Sequence, residues 1–476
     1  MDFSTSHAHA SPFPVGFHWQ AFSALVSPGA AFDSQERRPA PRCLPETRTA
    51  ILEEIEGWID AGTAGEALLW LHAPAGAGKS AIAQTIAETC AKRGQLAASF
   101  FFSRQATGRN TMKHLFPTII MQLALSSHDE HQKLDKILKD DPYIIERDGG
   151  SVDLIVRLLD NWIGHHCPSF SLPLLAIIDG LDECQHNRDQ SLILEHVRDM
   201  VSKHQLPLRF LIFSRPEPHI YDTFNEHVLR KMTKVMSVYG DYRARNDVQR
   251  YLRTEFTRIH DSPMHKDIMC FISKPWPSDD IIRRLVDKSG GYFIYASTVI
   301  QFIDEEYFSC TERLDQVLGT LNNPHSDSDS TPFAELDKLY IQVLSTCPRS
   351  RLCLLKNILG FLLFAEEYAE LCSIEQWFGL ERGQVRLTLR GLHSIIIFLQ
   401  ERGITLRDGT WLRSIHASFL DFLLDPDRSK DYHVYRQQWY ETAFCRSFST
   451  HRNFLGSLVD AGNDDRYGLS HYDSLR

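Results

Sequence analysis

Several things are scarce in this chain, and each absence excludes something. None of its ten cysteines forms a Cys-x-x-Cys pair. His165-His166-Cys167 has no second ligand pair at zinc spacing, so it does not read as a metal site. The thiols read instead as reduced and mostly buried, as expected of a cytoplasmic protein. No apolar run reaches the ~20 residues that cross a bilayer. The best run, Tyr292–Ile303, is short and interrupted by Ser297, Thr298 and Gln301, which favours a core helix. The first residues lack a basic start and a continuous apolar segment, so no signal peptide is expected. Positive charge is also in deficit, with 51 Lys+Arg against 61 Asp+Glu and a net charge of -10. That balance argues against a chain built to coat nucleic acid, although a local basic patch stays open. No repeat recurs with a period of 20–50 residues. What is present is ordinary: 43% hydrophobic and 24% charged residues. Wholesale disorder, collagen and a coiled-coil rod are thereby excluded.

The 476 residues suggest about three domains. Residues 1–42 read as an irregular lead-in with a short helix around Trp19–Leu25. In Thr47–Ile59, the residues Ile51, Leu52, Ile55, Trp58 and Ile59 make one helical stripe, with Thr47 as candidate cap. Strand-like runs then alternate with helices. Ala67–His72, Ala97–Phe102, Ser171–Ile178, Leu208–Phe213 and the weaker Lys234–Val238 are the strands, and Ser80–Ala91 and Leu115–Leu123 are helical. That alternation implies a parallel sheet with helices on both faces. From about Asp241 the pattern is helical: Asn246–Arg258, Asp280–Lys288 and Tyr292–Ile303. Leu321–Pro332 is a polar linker. Helical segments follow at Phe333–Leu344, Ser350–Phe364, Ser373–Phe378 and Glu381–Gly391. A hairpin of Ile395–Leu399 against Gly403–Arg407 closes this part.

Chemistry concentrates first in Ala73, Pro74, Ala75, Gly76, Ala77, Gly78, Lys79 and Ser80. This is a phosphate-loop pattern with Ala73 where glycine is usual, between a buried strand and an amphipathic helix. Gly76 and Gly78 let the backbone fold so that its N–H groups converge on phosphate oxygens. The following helix offers its positive end. Lys79 supplies a mobile cation for β- and γ-phosphates, and the Ser80 hydroxyl can ligate Mg²⁺. The second element is Leu174–Glu183, an apolar strand ending in acid. Asp179 at its tip is placed to hold Mg²⁺ directly or through water. Asp182 and Glu183 are both placed to orient or deprotonate an attacking water, and the sequence does not choose between them. The third is Ser214-Arg215 at the end of Leu208–Phe213, a cation able to sense or neutralise a γ-phosphate. All three fall where open α/β sheets bind ligands, at the carboxyl ends of strands.

These residues, in this order, resemble a NACHT-type P-loop NTPase of the STAND class, in the style of fungal NOD-like receptors. The loop in WLHAPAGAGKSAIAQTIAE, the DGLDE acidic motif and the strand ending FSRPE carry the likeness. Cys43–Ile59 resembles the family's lead-in helix, SGGYFIYASTVIQFI its downstream helical segment, and Ile415–Leu423 the end of its winged-helix domain. The resemblance implies an NTPase domain over 43–240, a helical domain over 241–330, a winged-helix-like domain over 331–430 and a tail over 431–476. It also implies ATP/ADP and Mg²⁺ as ligands, a closed ADP form and an ATP form that self-associates, with effector or sensor proteins as partners. His416 occupies the winged-helix position that contacts the ADP phosphate in some members. No effector domain is recognisable in residues 1–42, and no WD, ankyrin or tetratricopeptide array follows residue 430. A signalling switch is the leading reading. A scaffold that keeps nucleotide as a folding ligand, or another P-loop enzyme, are the alternatives.

Overall fold

The computed structural model describes residues 17–61, 66–147, 150–159, 174–206, 208–238, 242–306, 308–321, 333–365, 369–400, 410–414 and 416–445. His165–Cys167, the linker beyond Leu321, the arm at Gly403–Arg407 and the tail from 446 lie outside them. The chain divides into two units, Met1–Tyr251 with Gly290–Phe293, and Leu252–Ser289 with Ile294–Arg476.

The first unit is built on a parallel sheet of β1 (Leu68–His72), β2 (Leu96–Phe101), β3 (Leu174–Asp179), β4 (Leu208–Ser214) and β5 (Thr233–Ser237), in the order β2-β3-β4-β1-β5. Near-continuous apolar runs such as LLWLH and LLAIID form its middle because both faces are covered. Successive residues of one strand enter opposite cores. Leu68, Trp70, Ala176, Ile178, Phe210 and Ile212 belong to one cluster. Leu69, Leu71, Leu175, Ile177, Leu211 and Phe213 belong to the other. Each such Leu, Ile or Phe side chain, fully removed from water, contributes roughly 1.5–3 kcal/mol.

Helices α1 (Phe17–Ser23), α2 (Thr49–Asp60), α3 (Lys79–Lys92), α4 (Met112–Leu125), α5 (His128–Asp140), α6 (Gly150–Leu159), α7 (Asn187–Ser202), α8 (Pro218–Asn225) and α9 (His227–Met232) surround the sheet. The α2 stripe packs with α3 in the second cluster, through Ile55, Trp58 and Ile59 against Ile82 and Ile86. Thr47 does not cap α2. Its hydroxyl donates to the Leu44 carbonyl at 2.7 Å, and the helix begins after Arg48. Arg48 takes a left-handed φ of 55°, a conformation that costs roughly 1–2 kcal/mol in a non-glycine residue. Its backbone N–H donates to Asp247 at 3.0 Å, which helps to hold it there.

Long α10 (Tyr242–Asp261) leads into the second unit. That unit contains α11 (Lys266–Met269), α12 (Asp279–Ser289), α13 (Phe293–Ile303), α14 (Cys310–Leu321), α15 (Ala334–Ser345), α16 (Leu352–Phe364), α17 (Leu371–Trp377), α18 (Gln384–Thr388), α19 (Ala417–Leu424) and α20 (Pro426–Ser429). The apolar run in α13 is a buried core helix, and no described helix is long and apolar enough to cross a membrane. Strands β6 (Ala369–Glu370), β7 (Ile396–Gln400) and β8 (Thr410–Ser414) form a small antiparallel sheet in the order β6-β8-β7. β7 pairs antiparallel with Thr410–Ser414; the expected arm Gly403–Arg407 lies outside the described residues. Alternating burial along TWLRS marks it as a strand with one covered face.

Candidate phosphate-binding site

β1 ends at His72, and the chain turns through Ala73–Gly78 into α3. Gly76 and Gly78 have φ of 75° and 91°, where a side chain would be strained. Ala73 is not among the left-handed residues, so this position tolerates its methyl group. It is fully buried, and its N–H donates to the Ser214 carbonyl at 3.3 Å, tying the loop to β4. Pro74 and Gly78 are partly buried, while Ala75, Gly76 and Ala77 are buried. Gly78 caps α3 without a side chain, which leaves the first helical amides directed at the loop. Lys79 Nζ donates to the carbonyls of Ala73 at 2.8 Å and Pro74 at 3.1 Å. Burial pulls its ammonium below the usual lysine range, and Asp182 opposes this.

One residue on, the Ser80 hydroxyl is hydrogen-bonded to Asp179 at the tip of β3. Asp179 is 4% exposed, and its Oδ1 has no hydrogen-bond partner. Burial pushes this carboxyl up. An orphaned, buried carboxylate oxygen beside a hydroxyl at a helix start fits a hard divalent cation, whose ligands are oxygens. Ser80 and Asp179 are therefore the residues that would hold Mg²⁺.

After Asp179 the chain makes a tight turn, Leu181–Glu183. Its two acids have different surroundings. Asp182 is buried, accepts the backbone N–H of Arg215 at 2.9 Å, and pairs with Arg215 Nε at 3.1 Å. Glu183 is partly buried and accepts the backbone N–H of Arg104 at 3.3 Å. Burial pushes the Glu183 carboxyl up to about 7, with the neighbouring Asp182 charge adding to the effect. Arg215 follows β4, and the Ser214 hydroxyl beside it donates to the Arg215 carbonyl at 2.8 Å and accepts from Trp70 Nε1 at 2.8 Å.

Four further residues shape the site and carried no sequence signal. Arg48 Nη2 donates to the Ala77 carbonyl at 2.9 Å, bracing the loop from outside. Gln190 on α7 donates to the Cys184 carbonyl at 2.7 Å and so anchors the acid turn. Arg104 donates through Nη2 to the Asp182 carbonyl at 3.2 Å. Arg37, from the stretch expected to be irregular, lies with its guanidinium 3.3 Å from the centre of the Phe101 ring. It donates to Gln84 Oε1 at 2.7 Å, and its charge lowers the proton affinity of Asp179.

The structure thus brings Lys79, Ser80, Asp179, Asp182, Glu183 and Arg215 to the carboxyl ends of β1, β3 and β4. His416 belongs to the second unit, where it caps α19. Its Nδ1 accepts the backbone N–H of Ser418 at 3.0 Å, so the ring carries its proton on Nε2. The Ser418 hydroxyl lies 2.6 Å from the same Nδ1 and 2.9 Å from the Tyr340 hydroxyl.

Residues 46–215 match the family model described as Nephrocystin 3, N-terminal. No curated protein matches the chain. Among solved structures, it is similar to a STAND protein with a tetratricopeptide repeat sensor from Pyrococcus horikoshii, with a TM-score of 0.43 and 11% identity. That match covers 88% of this chain and 46% of the Pyrococcus chain, so this chain spans under half of it. It is also similar to Drosophila ORC bound to DNA, with a TM-score of 0.39, 13% identity, and 84% and 98% of the two chains covered. For Cdc6p from Pyrobaculum aerophilum the values are 0.34, 14%, 84% and 95%. These overlaps are distant, and the local geometry of loop, acid turn and Arg215 carries the assignment. Over residues 46–215, the first unit is an α/β P-loop NTPase core that matches the Nephrocystin 3, N-terminal family model.

Proposed function

We propose that the chain is an ATP/ADP-binding signalling switch with slow Mg²⁺-dependent hydrolysis and nucleotide-controlled self-association. It fits a NOD-like receptor of fungal type acting in innate-immunity or self/non-self signalling in the cytoplasm. The observation that carries this reading is the meeting of Lys79, the Ser80–Asp179 pair and the Asp182–Arg215 pair at three strand ends.

The loop amides of 74–80 receive the β-phosphate, and Lys79 exchanges its carbonyl partners for phosphate oxygens as nucleotide enters. Ser80 and Asp179 would hold a Mg²⁺ ion, which would neutralise charge on the phosphates. Asp182 is committed to Arg215, and so holds that guanidinium toward the γ-phosphate. Glu183 accepts the backbone N–H of Arg104 while Asp182 takes the Arg215 guanidinium, and burial brings the Glu183 carboxyl to about 7. It is therefore the general base that takes the proton of the attacking water. This reading takes Glu183 over Asp182, the two acids between which the sequence does not choose.

The helical stretch 241–330 and the winged-helix-like stretch 331–430 serve in this reading as the parts that respond to nucleotide, with His416 as the reporter of the ADP state. Partners are a second copy of the chain and effector or sensor proteins. Neither a nucleic acid nor a membrane is required.

Freshly purified chain should release ADP or ATP on denaturation. Its mass by light scattering should differ between ADP and a non-hydrolysable ATP analogue. Identical masses would remove the switch, and bound nucleotide without turnover would leave a nucleotide-stabilised scaffold.

A further inference from the structure

Arg104 lies in the loop after β2, outside every motif discussed above, yet it touches both acids of the turn. Its amide N–H donates to Glu183 Oε2 at 3.3 Å. Its guanidinium Nη2 donates to the Asp182 carbonyl at 3.2 Å and stands 3.9 Å from Asp182 Oδ2. One residue thus grips the turn from the backbone and the side chain together. Its side chain is 37% exposed, so the guanidinium sits at the mouth of the site rather than in the core. A core residue would be there for packing. A partly wet cation beside two acids acts chiefly through orientation and field.

We propose that Arg104 is a positioning residue for ATP hydrolysis: it clamps the acid turn so that Glu183, not Asp182, is presented as the base. This rests on the reading of the site as an ATPase. The division of labour follows from the contacts. Arg215 engages the Asp182 carboxylate, and Arg104 fixes the Asp182 carbonyl and the Glu183 carboxylate, so the two acids cannot exchange places. Charge has a second effect. The groups acting on Glu183 are Asp182 and Asp179, which oppose its ionisation, and Arg104 and Arg215, which favour it. Lys79 on the phosphate loop also interacts with it electrostatically.

The test uses the full chain and two readouts. In steady-state hydrolysis, Arg104→Gln should lower kcat about tenfold, since general-base catalysis is worth 10²–10⁴-fold and the base remains present. KM should stay within about twofold, because nucleotide binding resides in the loop. The rise of kcat with pH should move to higher pH, and Arg104→Lys should return it toward the wild-type position. Wild-type kcat with an unmoved pH limb would overturn the proposal. So would a loss of kcat accompanied by an equal loss of binding and a fallen melting temperature, the mark of a merely structural residue. The second readout needs no turnover. The difference in unfolding stability between chains with Glu183 and with Glu183→Gln, followed against pH, traces the titration of Glu183. Placing Arg104→Gln in both chains should displace that trace upward. A displaced trace in a chain that does not hydrolyse ATP would uphold the coupling and overturn the ATPase reading. An unmoved trace would overturn the coupling itself.

Discussion

The carboxylate of Asp182 holds Arg215 twice, through its backbone N–H at 2.9 Å and its Nε at 3.1 Å. The acid turn after β3 and the cation after β4 are thereby one rigid piece. Removing one partner of a buried pair leaves the other charge uncompensated, at a cost of roughly 3–5 kcal/mol. Asp182→Ala should lower unfolding stability by about 3 kcal/mol in urea. Asp182→Asn, which keeps an acceptor for the Arg215 N–H, should lose less. Equal stabilities of Asp182→Ala and wild type would show that the pair does not organise the site.

Glu183→Gln should bind ATP within about twofold of wild type and lose about 10²–10⁴ in turnover. Because burial raises the Glu183 carboxyl to about 7, turnover should rise with pH up to that point and then level. Stability runs the other way. The folded chain holds this proton to a higher pH than the unfolded chain does. Stability therefore falls as pH rises from the ordinary glutamate range to about 7. Glu183→Gln removes that fall, which denaturant titrations across this pH range would reveal.

Lys79→Ala should reduce ATP affinity at least ~100-fold by calorimetry, since a buried cation–phosphate contact is lost. Asp179→Asn separates metal binding from folding. The Asp179 carboxyl is buried, orphaned at Oδ1 and pushed toward its neutral form. A neutral amide should therefore stabilise the metal-free chain at neutral pH while abolishing the gain in nucleotide affinity on adding Mg²⁺. A destabilised metal-free Asp179→Asn chain would show that the charge is needed for the fold.

His416 is first a helix cap, and a variant can keep that role while removing the ring. Asparagine is among the best capping residues, and alanine at a cap costs ~1 kcal/mol. His416→Asn should melt like wild type, and His416→Ala should melt lower. If His416 reports the ADP state, both should lose preference for ADP over an ATP analogue. Retained preference in His416→Asn would assign the residue to capping alone.

The legible part of this protein is the part whose chemistry sits in consecutive residues. Ala73–Ser80 and Asp179–Glu183 announce themselves because one short segment carries both the turn and its charges. The inner strands are visible because they are buried on both faces, as LLAIID is, while the edge strand Thr233–Ser237, partly exposed, gives a weaker pattern. Arg104 was not visible, since it meets Asp182 across 78 residues of sequence. Arg48 and Gln190 serve the site through contacts to backbone carbonyls, Arg48 to Ala77 and Gln190 to Asp182 and Cys184, which no local pattern announces. Helix α5 was missed because only Leu134, Leu138 and Glu130 of its residues are buried, too few for a clear apolar period. Thr47 misled because a threonine ahead of a helix is a common cap, whereas here Arg48 turns left-handed between them.

The stretch from Phe32 to Cys43 has a consequence for how this core resists aggregation. Among the described strands β2 lies at the edge of the sheet, where an open row of backbone groups invites another chain. Two devices occupy that edge. The Gln122 side chain donates to the Ser99 carbonyl at 2.9 Å and accepts the Ser99 N–H at 3.0 Å, as a neighbouring strand would. The Phe32 N–H donates to the Ser99 hydroxyl at 2.9 Å, and Cys43 and Arg42 bind Thr85 and Glu88 on α3. A fragment starting at residue 46, where the family match begins, would retain Gln122 but lose the strap and the Arg37 guanidinium over Phe101. Such a fragment would carry every phosphate-loop residue and still be prone to clump through the uncovered side of β2.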